Sequence, residues 1–243
     1  MSYFKINKID AIDSTNRALK RQYHASKLVH GELLWALDQQ KGKGQRESQW
    51  VSEPNKNLTF SFFLSPEKLT LPTVFVLNCW VALAVRSALI SFGIPAVSIK
   101  WPNDILSENK KICGLLIENL YRGSKYNGSI VGIGLNVNQL NFPDLKRASS
   151  MHLATGRPFE IEEVLLKILA DLSFYLTSGI TVSDSFSAFN KALFGLGKKR
   201  SFIAEGQAFQ ATVDSVNEQG ELVLKTVDGQ FRTFQHKTVE WVY

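Results

Sequence analysis

The 243-residue sequence is poor in the residues that form disulfides and metal sites. It has two cysteines, Cys79 and Cys113, and four histidines that are scattered without metal-ligand spacing. This excludes a disulfide framework and makes a structural metal unexpected, and it fits a protein of the reducing cytoplasm. A chain of this length buries enough surface to fold without either kind of cross-link.

The sequence also lacks an uninterrupted hydrophobic run. The most apolar stretch, 71–90, is long enough to cross a bilayer, but Pro72, Asn78 and Arg86 interrupt it. No basic region followed by a cleavage site is present near residue 1. We therefore expect a buried helix of a soluble protein here, and no membrane partner.

Charge is distributed unevenly along the chain. Lys and Arg number 28 against 22 Asp and Glu, which gives a formal net charge of +6. From Gly197 onward the two signs are equal in number, so the whole excess lies in residues 1–196. The excess indicates an anionic partner, which composition leaves open as a nucleotide, a nucleic acid, an acidic protein or a membrane surface. Its location argues against a nucleic-acid clamp in the C-terminal segment.

Hydrophobic periodicity predicts an α+β protein with a mixed, mostly antiparallel sheet. Strands are predicted at 3–9, 32–38, 58–64, 97–101, 112–120 and 130–137, and helices at 15–28, 73–92, 161–176 and 186–194. The strands at 112–120 and 130–137 form a predicted hairpin. The segment 39–50 has no period and is predicted to be a mobile loop.

The pattern changes at Gly195–Gly197. Beyond it only short alternating segments follow, at 201–204, 209–216, 221–226 and 230–235. Turn-forming residues separate these segments, as a small antiparallel barrel requires. The sequence therefore predicts a large domain over 1–196 and a small barrel over 197–243.

Two segments combine cations with residues that suit a bound anion. In 41–50, Gly42 and Gly44 let backbone amides approach a phosphate or carboxylate, although a solvated surface loop explains the same composition. In 100–104, Lys100 and Asp104 flank a Trp-Pro-Asn corner that suits a nucleotide, with Asp104 facing Mg²⁺. A strand end with a proline turn is the alternative there.

Two later segments place glycines in apolar strands. Lys111 stands at the mouth of one strand, where its ammonium can face a developing negative charge, or where it simply charges a hairpin edge. Cys113 has no histidine near it in sequence, so we interpret it as a core thiol. Glycines such as Gly132 and Gly134 weaken a strand, which suggests close approach of a ligand or another backbone, with packing as the alternative.

Taken in order, five motifs resemble those of the biotin protein ligases. They are Asp13-Ser14-Thr15-Asn16, Gln39 with Gly42-Lys43-Gly44-Gln45-Arg46 and Trp50, Lys100-Trp101-Pro102-Asn103-Asp104, Lys111-Ile112-Cys113-Gly114-Leu115-Leu116-Ile117-Glu118, and Gly132-Ile133-Gly134-Leu135-Asn136-Val137-Asn138. The resemblance implies a catalytic domain related to class II aminoacyl-tRNA synthetases and lipoate ligases, followed by an SH3-like barrel.

The resemblance also implies a two-step reaction. Biotin's carboxylate attacks the α-phosphate of Mg-ATP to give biotinyl-5′-AMP and pyrophosphate, and a lysine of a carrier domain then attacks the mixed anhydride. The carrier is a biotin carboxyl carrier protein or domain of acetyl-CoA carboxylase or of another biotin-dependent carboxylase. Lys111 is the implied catalytic residue, because both steps build negative charge at one place.

The other site residues follow from the same resemblance. The implied biotin-binding residues are Ser14, Thr15, Asn16, Gln39, Lys43, Gly44, Gln45, Lys111 and Gly114. The implied ATP and adenylate residues are Arg46, Trp50, Lys100, Asn103, Asp104 and Asn136, with Asp104 also facing Mg²⁺. The segment around Lys43–Gln45 corresponds to a loop that closes over the adenylate.

The sequence departs from the family pattern in this loop. Glu47 and Ser48 stand where glycine followed by Asn or Arg is usual, and Lys43 stands where Arg is common. Losing the glycine restricts φ, and Glu47 adds negative charge near the triphosphate path.

Many relatives carry an N-terminal helix-turn-helix domain. Because Asp13–Asn16 lies near residue 1, we expect a ligase without sequence-specific DNA binding; a homodimer stays open. Two alternatives remain: a lipoate or octanoate ligase of the same fold, and a nonenzymatic basic nucleic-acid-binding protein.

Overall fold

The computed structural model describes residues 3–45, 48–68, 73–143 and 145–242. Within these ranges the fold is α+β, as predicted. The strands are β1 Lys5–Ile12, β2 Glu32–Gln39, β3 Gly42–Lys43, β4 Gln49–Trp50, β5 Leu58–Leu64, β6 Val97–Lys100, β7 Asp104–Ser107, β8 Lys110–Arg122, β9 Lys125–Leu135, β10 Lys199–Ala204, β11 Gln207–Val216, β12 Leu222–Thr226, β13 Phe231–Phe234 and β14 Glu240–Val242. The helices are α1 Thr15–His24, α2 Val74–Ser91, α3 Met151–Thr155, α4 Ile161–Thr177 and α5 Val182–Lys191.

A seven-stranded sheet forms the centre of the larger part of the molecule. Its order is β1-β2-β5-β9-β8-β7-β6, with only the β1–β2 pair parallel among these described strands. The predicted hairpin is confirmed as β8 and β9, and its register sets Gly114 opposite Gly134. Because side chains alternate across a strand, this hairpin presents a row of small residues on one face.

Helix α2 is the buried helix expected at 73–92. It is long and apolar enough to cross a membrane by length and composition, but 61% of that window is buried inside the protein. Asn78 and Arg86 donate hydrogen bonds to Pro102 O at 2.9 Å and Val97 O at 3.1 Å. These polar residues therefore tie α2 to β6 and to the corner that follows it. Leu71 and Pro72 of the apolar stretch lie outside the described residues.

Residues 199–242 form a second, five-stranded antiparallel sheet of order β13-β12-β11-β10-β14. The antiparallel strands were predicted, but within the described residues β13 and β14 form opposite edges, so the barrel is not closed. Strand β14 was missed because it has only three residues. Trp101 donates from Nε1 to Gly220 O at 2.9 Å, which connects this sheet to the corner after β6.

Several other boundaries differ from prediction. Helix α1 ends at His24 rather than at residue 28, and Ser26 just beyond it has a positive φ of 54°. Strand β7 and helix α3 were not predicted, since each has four or five residues and too short a pattern to register. The segment 39–50 is not an irregular loop throughout, because β3 and β4 pair within it as a short hairpin.

Candidate functional site

A cavity of about 380 Å³ lies on one face of the large sheet. The start of α1, the β3–β4 hairpin, β5, β8 and β9 surround it. Twelve of the site residues predicted from the sequence line it: Ser14, Thr15, Asn16, Gln39, Lys43, Gly44, Gln45, Trp50, Asn103, Asp104, Lys111 and Gly114. Residues from widely separated parts of the sequence thus meet in one place.

The start of α1 supplies a buried polar corner to this cavity. Ser14 is the N-cap of the helix, and its side chain accepts from Arg17 N at 3.5 Å. Thr15 N donates to Gln39 Oε1 at 2.9 Å, and the Thr15 hydroxyl lies 3.1 Å from the same oxygen. Because Ser14 and Thr15 are almost fully buried, their hydrogen bonds hold them in fixed orientations.

Ser61 on β5 belongs to the same corner and was not predicted from the sequence. Its Oγ lies 2.6 Å from Thr15 Oγ1 and donates to Asn16 Oδ1 at 2.5 Å. A small polar residue in the apolar strand Leu58–Leu64 is the only sequence signal. Thr59, two residues earlier, gives the same signal but donates to Ala36 O instead.

Glycines on β8 and β9 allow side chains to lie flat against the sheet. A Cβ on Gly132 would stand 2.1 Å from Asn16 Oδ1, and a Cβ on Gly134 would stand 2.5 Å from the Trp50 indole. Gly114 also borders Trp50, since a Cβ added to this glycine would stand 3.2 Å from the indole ring. Close approach was predicted, but the groups that approach are protein side chains that form the cavity wall.

The β3–β4 hairpin and its turn form part of the wall of the cavity. Gly42 pairs with Trp50 and Lys43 with Gln49. Near the tip, Gly44 N donates to Ser48 O at 2.8 Å and Ser48 Oγ donates to Gln45 O at 2.6 Å. Ser48 therefore takes part in the turn at the tip of the hairpin. Arg46 and Glu47 lie outside the described residues.

A second cavity of about 510 Å³ adjoins the first across Trp50, Asp104 and Lys111. Lys100 and Asn136, which the sequence assigned to a nucleotide side, both line this cavity. Sequence reasoning missed other residues that line it: Asn109, Phe142, Lys146 and Arg147. Phe142, Lys146 and Arg147 stand in an irregular segment whose sequence has no period or glycine signal, so only the tertiary structure places them.

Lys111 stands at the junction of the two cavities. Its Nζ lies 2.6 Å from Asp104 Oδ1 and 5.8 Å from the centroid of the Trp50 ring. Its backbone is held by Arg147 O, which accepts from Lys111 N at 2.7 Å, and by Ser149 N, which donates to Lys111 O at 2.9 Å. The Lys111 side chain is 38% exposed, so its ammonium is positioned and still accessible to a ligand.

Asp104 is therefore paired with the Lys111 ammonium in this structure, and its role facing Mg²⁺ stays a prediction. Among the described residues no group of three His, Cys, Asp or Glu side chains could hold a metal ion. Asp104 is also the one carboxylate among the residues described as lining the second cavity. A single carboxylate fits a Mg²⁺ that arrives on phosphates better than a resident metal.

Burial shifts the pKa of two groups near Lys111. Desolvation lowers the pKa of Lys100 from its ordinary value of 10.5, and the neighbouring charges of Lys111 and Arg147 lower it further, while Asp104 opposes them. Desolvation raises the pKa of the Cys113 thiol far above its ordinary range. Cys113 is fully buried, so its interpretation as a core thiol is confirmed.

The two asparagines assigned to the nucleotide side differ in their contacts. Asn103 donates from Nδ2 to Leu115 O at 2.6 Å and accepts from Leu115 N through its backbone oxygen at 2.9 Å, so it fixes the corner after β6. Asn136 donates from Nδ2 to Ser149 O at 2.9 Å. Its Oδ1 is buried and has no hydrogen-bond partner among the described residues, which leaves one acceptor available to a ligand.

The fold and the two cavities define an enzyme-type site in which a polar pocket for a small ligand adjoins a cationic pocket for an anion. Residues 9–136 match the model of the biotin/lipoate A/B protein ligase family, which covers more than half of the chain. The chain belongs to this family.

Individual relatives agree with this membership. The chain is 28% identical over 228 residues to the bifunctional ligase/repressor BirA of Bacillus spizizenii, covering 90% of this chain and 69% of that protein. It is 36% identical over 128 residues to the biotin–[acetyl-CoA-carboxylase] ligase of Paracoccus denitrificans, about half of each chain. The biotin protein ligase of Aquifex aeolicus, solved with biotin and ATP, superimposes with a TM-score of 0.83 at 28% identity, covering 98% of this chain and 99% of that one.

These likenesses confirm the predicted fold class, including a small C-terminal antiparallel domain of the SH3-like kind.

Proposed function

We propose that this protein is an ATP-dependent biotin protein ligase. It activates biotin as biotinyl-5′-AMP and transfers the biotinyl group to a lysine of a biotin carboxyl carrier protein or domain. The observation that carries the proposal is the position of Lys111, which lines both cavities and touches Asp104. An ammonium at that junction can stabilise charge on a carboxylate and a phosphate that react with each other.

The first cavity is the proposed biotin site. Biotin has a ureido ring with two N–H donors and one carbonyl acceptor, and the rest of its surface is apolar. The corner of Ser14, Thr15, Asn16 and Gln39 offers donors and acceptors at one end of the cavity. Phe60 and Ile133 supply apolar wall, so a few directional bonds would determine specificity.

The second cavity is the proposed ATP site. Lys100, Lys111, Lys146 and Arg147 make its lining positive, and Trp50 and Phe142 offer aromatic faces. Asn136 Oδ1, which has no hydrogen-bond partner within the described ranges, supplies an acceptor for an adenine or ribose donor. Mg²⁺ enters this site as part of the Mg-ATP substrate, where it would neutralise part of the phosphate charge, and Asp104 is the carboxylate placed to face it.

In the first step an oxygen of the biotin carboxylate attacks the α-phosphorus, and the bond from that phosphorus to the pyrophosphate oxygen breaks. Negative charge then concentrates on the oxygens around the α-phosphate, where the Lys111 ammonium can stabilise it. In the second step the neutral amine of the carrier lysine attacks the biotinyl carbonyl, AMP leaves, and the amine loses its proton. The same ammonium stabilises the charge on the departing AMP.

The β3–β4 hairpin is the proposed cover over the adenylate. Lys43, Gly44 and Gln45 line the first cavity from this hairpin, and Arg46 is proposed to extend its positive charge. A mixed anhydride hydrolyses in water, so exclusion of solvent by such a cover protects the intermediate.

We further propose that residues 1–196 form the catalytic domain and 197–243 the small domain, and that the protein acts in the cytoplasm.

The alternative of a lipoate ligase is less well supported. The family model includes both biotin and lipoate ligases, but the relatives described above are biotin ligases. The polar corner, which presents hydrogen-bonding groups of Thr15 and Gln39 to the cavity, also matches a ureido ring rather than the apolar dithiolane of lipoate.

The experiment that tests the proposal uses the full chain with Mg-ATP and a carrier domain, with biotin, lipoate or octanoate as the acid. We expect a mass increase of the carrier equal to one biotinyl group, and biotin-dependent exchange of labelled pyrophosphate into ATP. Exchange that responds to lipoate but not to biotin would replace the proposal with the lipoate ligase. No exchange with any acid would reject ligase activity.

A further inference from the structure

Glu118 on β8 lies just behind the polar corner of the first cavity and is not among that cavity's lining residues. Its Oε2 accepts from Asn16 Nδ2 at 3.0 Å, and its Oε1 pairs with Lys20 Nζ at 3.3 Å. Ser61 lies in the same position relative to the cavity and is fully buried. Within the described part of the chain, the hydrogen bonds of these two residues reach the cavity lining through Thr15 and Asn16.

The hydrogen bonds of this corner can point in only one direction. An ionised carboxylate only accepts, so Asn16 must turn its amide nitrogen toward Glu118, at 3.0 Å, and its oxygen toward Ser61. Leu116 O accepts from the same amide nitrogen at a longer distance of 3.4 Å. Ser61 has a single hydroxyl proton, and Asn16 Oδ1 takes it at 2.5 Å. The contact of 2.6 Å between the Ser61 and Thr15 hydroxyl oxygens therefore needs the proton of Thr15.

Thr15 is left as an acceptor toward the cavity. Its proton has two neighbouring oxygens, Ser61 Oγ at 2.6 Å and Gln39 Oε1 at 3.1 Å. Thr15 donates its proton to Ser61 Oγ, because no other hydrogen is available for that contact. Gln39 Oε1 already accepts from Thr15 N at 2.9 Å, so it does not need the hydroxyl proton. A chain of bonds that ends on a charged group is polarised along its length, which makes the Thr15 oxygen a stronger acceptor.

We propose that Glu118 and Ser61 are positioning residues that set the donor and acceptor polarity of the biotin site, so that Thr15 Oγ1 accepts a hydrogen bond from a ligand N–H. This rests on the proposed function, since the ligand N–H is then that of the ureido ring. Neither residue touches the ligand. Glu118 acts through Asn16 and Ser61 on Thr15. This polarity makes the site specific for a ligand that donates an N–H, as the ureido ring does.

The test compares Glu118→Gln and Ser61→Ala with two matched controls. Gln has the shape of Glu but lacks its charge and can donate, so the preference of Asn16 for one orientation is weakened and rests mainly on Leu116 O at 3.4 Å. Lys20→Met removes the other partner of Glu118 and leaves the bond to Asn16 intact. Thr59→Val removes a buried hydroxyl from the same strand as Ser61, one that donates to Ala36 O outside the chain of bonds.

The measurements are KM for biotin, KM for ATP, and the ratio of the affinity for biotin to that for biotin methylated on a ureido nitrogen. We expect Glu118→Gln and Ser61→Ala to raise KM for biotin by about tenfold, with KM for ATP unchanged and the ratio reduced toward one. Lys20→Met and Thr59→Val should keep the wild-type KM for biotin and the wild-type ratio, whatever their melting temperatures.

Three results would overturn the proposal: a wild-type ratio in Glu118→Gln, an equal rise in both KM values, or the same effect from Lys20→Met. The wild type in the same assay separates this failure from failure of the proposed function. If the wild type forms adenylate from biotin, the ligase stands whatever the variants do. If the wild type does not, the ligase and this inference both fall.

Discussion

The two cavities that meet at Lys111 satisfy their polar groups in different ways. In the first, hydrogen bonds connect Gln39 to Thr15, Thr15 to Ser61, and Ser61 to Asn16. Most polar groups of this corner therefore have a partner within the protein. In the second, Asn136 Oδ1 is buried with no partner among the described residues, and the burial of Lys100 lowers its pKa. The first cavity therefore has most of its polar groups fixed before a ligand arrives. The second keeps one buried acceptor for a ligand donor, and a lysine whose positive charge a bound anion would stabilise.

The physical reason lies in the two kinds of interaction. Hydrogen bonds to a neutral ring are directional, so their donors must be fixed in advance for the ring to be recognised. Attraction between lysines and a triphosphate acts over longer distances and tolerates variation in position. Mutations on the first side should therefore change specificity, and those on the second should change affinity and rate.

The largest effect is expected where the two cavities join. Replacing Lys111 with alanine removes the cation that both steps use and should reduce adenylate formation by about 10²- to 10³-fold or more. Biotin binding should stay near normal, because the polar corner is intact. Pyrophosphate exchange measures the first quantity and calorimetry with biotin the second. Lys110→Ala, at an exposed neighbouring lysine, is the matched control, and full turnover in Lys111→Ala would contradict the assignment.

A second prediction compares the same substitution, glycine to alanine, at two positions of β9, one that contacts the first cavity alone and one that affects both cavities. In Gly132→Ala the new Cβ meets Asn16 Oδ1, so KM for biotin should rise by about tenfold or more while KM for ATP stays unchanged. In Gly134→Ala the new Cβ meets Trp50, which borders both cavities, so both KM values should rise. Steady-state kinetics, with biotin and ATP varied in turn, measures both KM values. The same change in both KM values for the two variants would contradict separate roles for the two cavities.

A third prediction concerns pH on the nucleotide side. Burial lowers the pKa of Lys100, so this ammonium loses its proton below the ordinary value of 10.5. Between the lowered value and 10.5 the unfolded chain binds more protons, so the contribution of Lys100 to folding stability rises with pH in that window. ATP binding should change in the opposite sense, since the positive charge is lost.

The measurement is kcat/KM for ATP against pH, which reports the free enzyme. We expect it to fall on the alkaline side, and Lys100→Arg should move that fall to higher pH because arginine keeps its charge. Lys110→Arg serves as the control and should leave the profile where it is. An alkaline fall that does not move in Lys100→Arg would assign the titration to another group.

The smallest effect is expected at the tip of the β3–β4 hairpin. Ser48→Ala removes the hydrogen bond from Ser48 Oγ to Gln45 O but leaves the backbone bond to Gly44. An exposed bond of this kind contributes modestly, so adenylate hydrolysis in the absence of carrier should rise only about two- to fivefold. A rate of AMP release equal to that of the wild type would show that the tip turn holds without this hydroxyl.

Much of the fold could be predicted from the sequence because its longer elements have strong patterns. The strand Leu58–Leu64 was predicted with its observed limits, and α2 and α4 were predicted within one residue at each end. The short elements β7, α3 and β14 were not predicted, because each has five residues or fewer and too short a pattern to be recognised. The C-terminal antiparallel strands were predicted, but among the described residues they do not close into a barrel, since alternation identifies strands and not whether the two edge strands meet.

The sequence by itself determined the class of site: the motif glycines, Lys111 and the start of α1 are local features whose chemistry can be read from residue type and order. Only the tertiary structure brought Ser61 and Glu118 behind the polar corner, and Arg147 and Phe142 beside the nucleotide cavity. Sheet pairing joins segments distant along the chain, and nothing in a local pattern specifies which buried serine will face which amide. The direction of each hydrogen bond follows from those meetings, and with it the expected preference for one ligand.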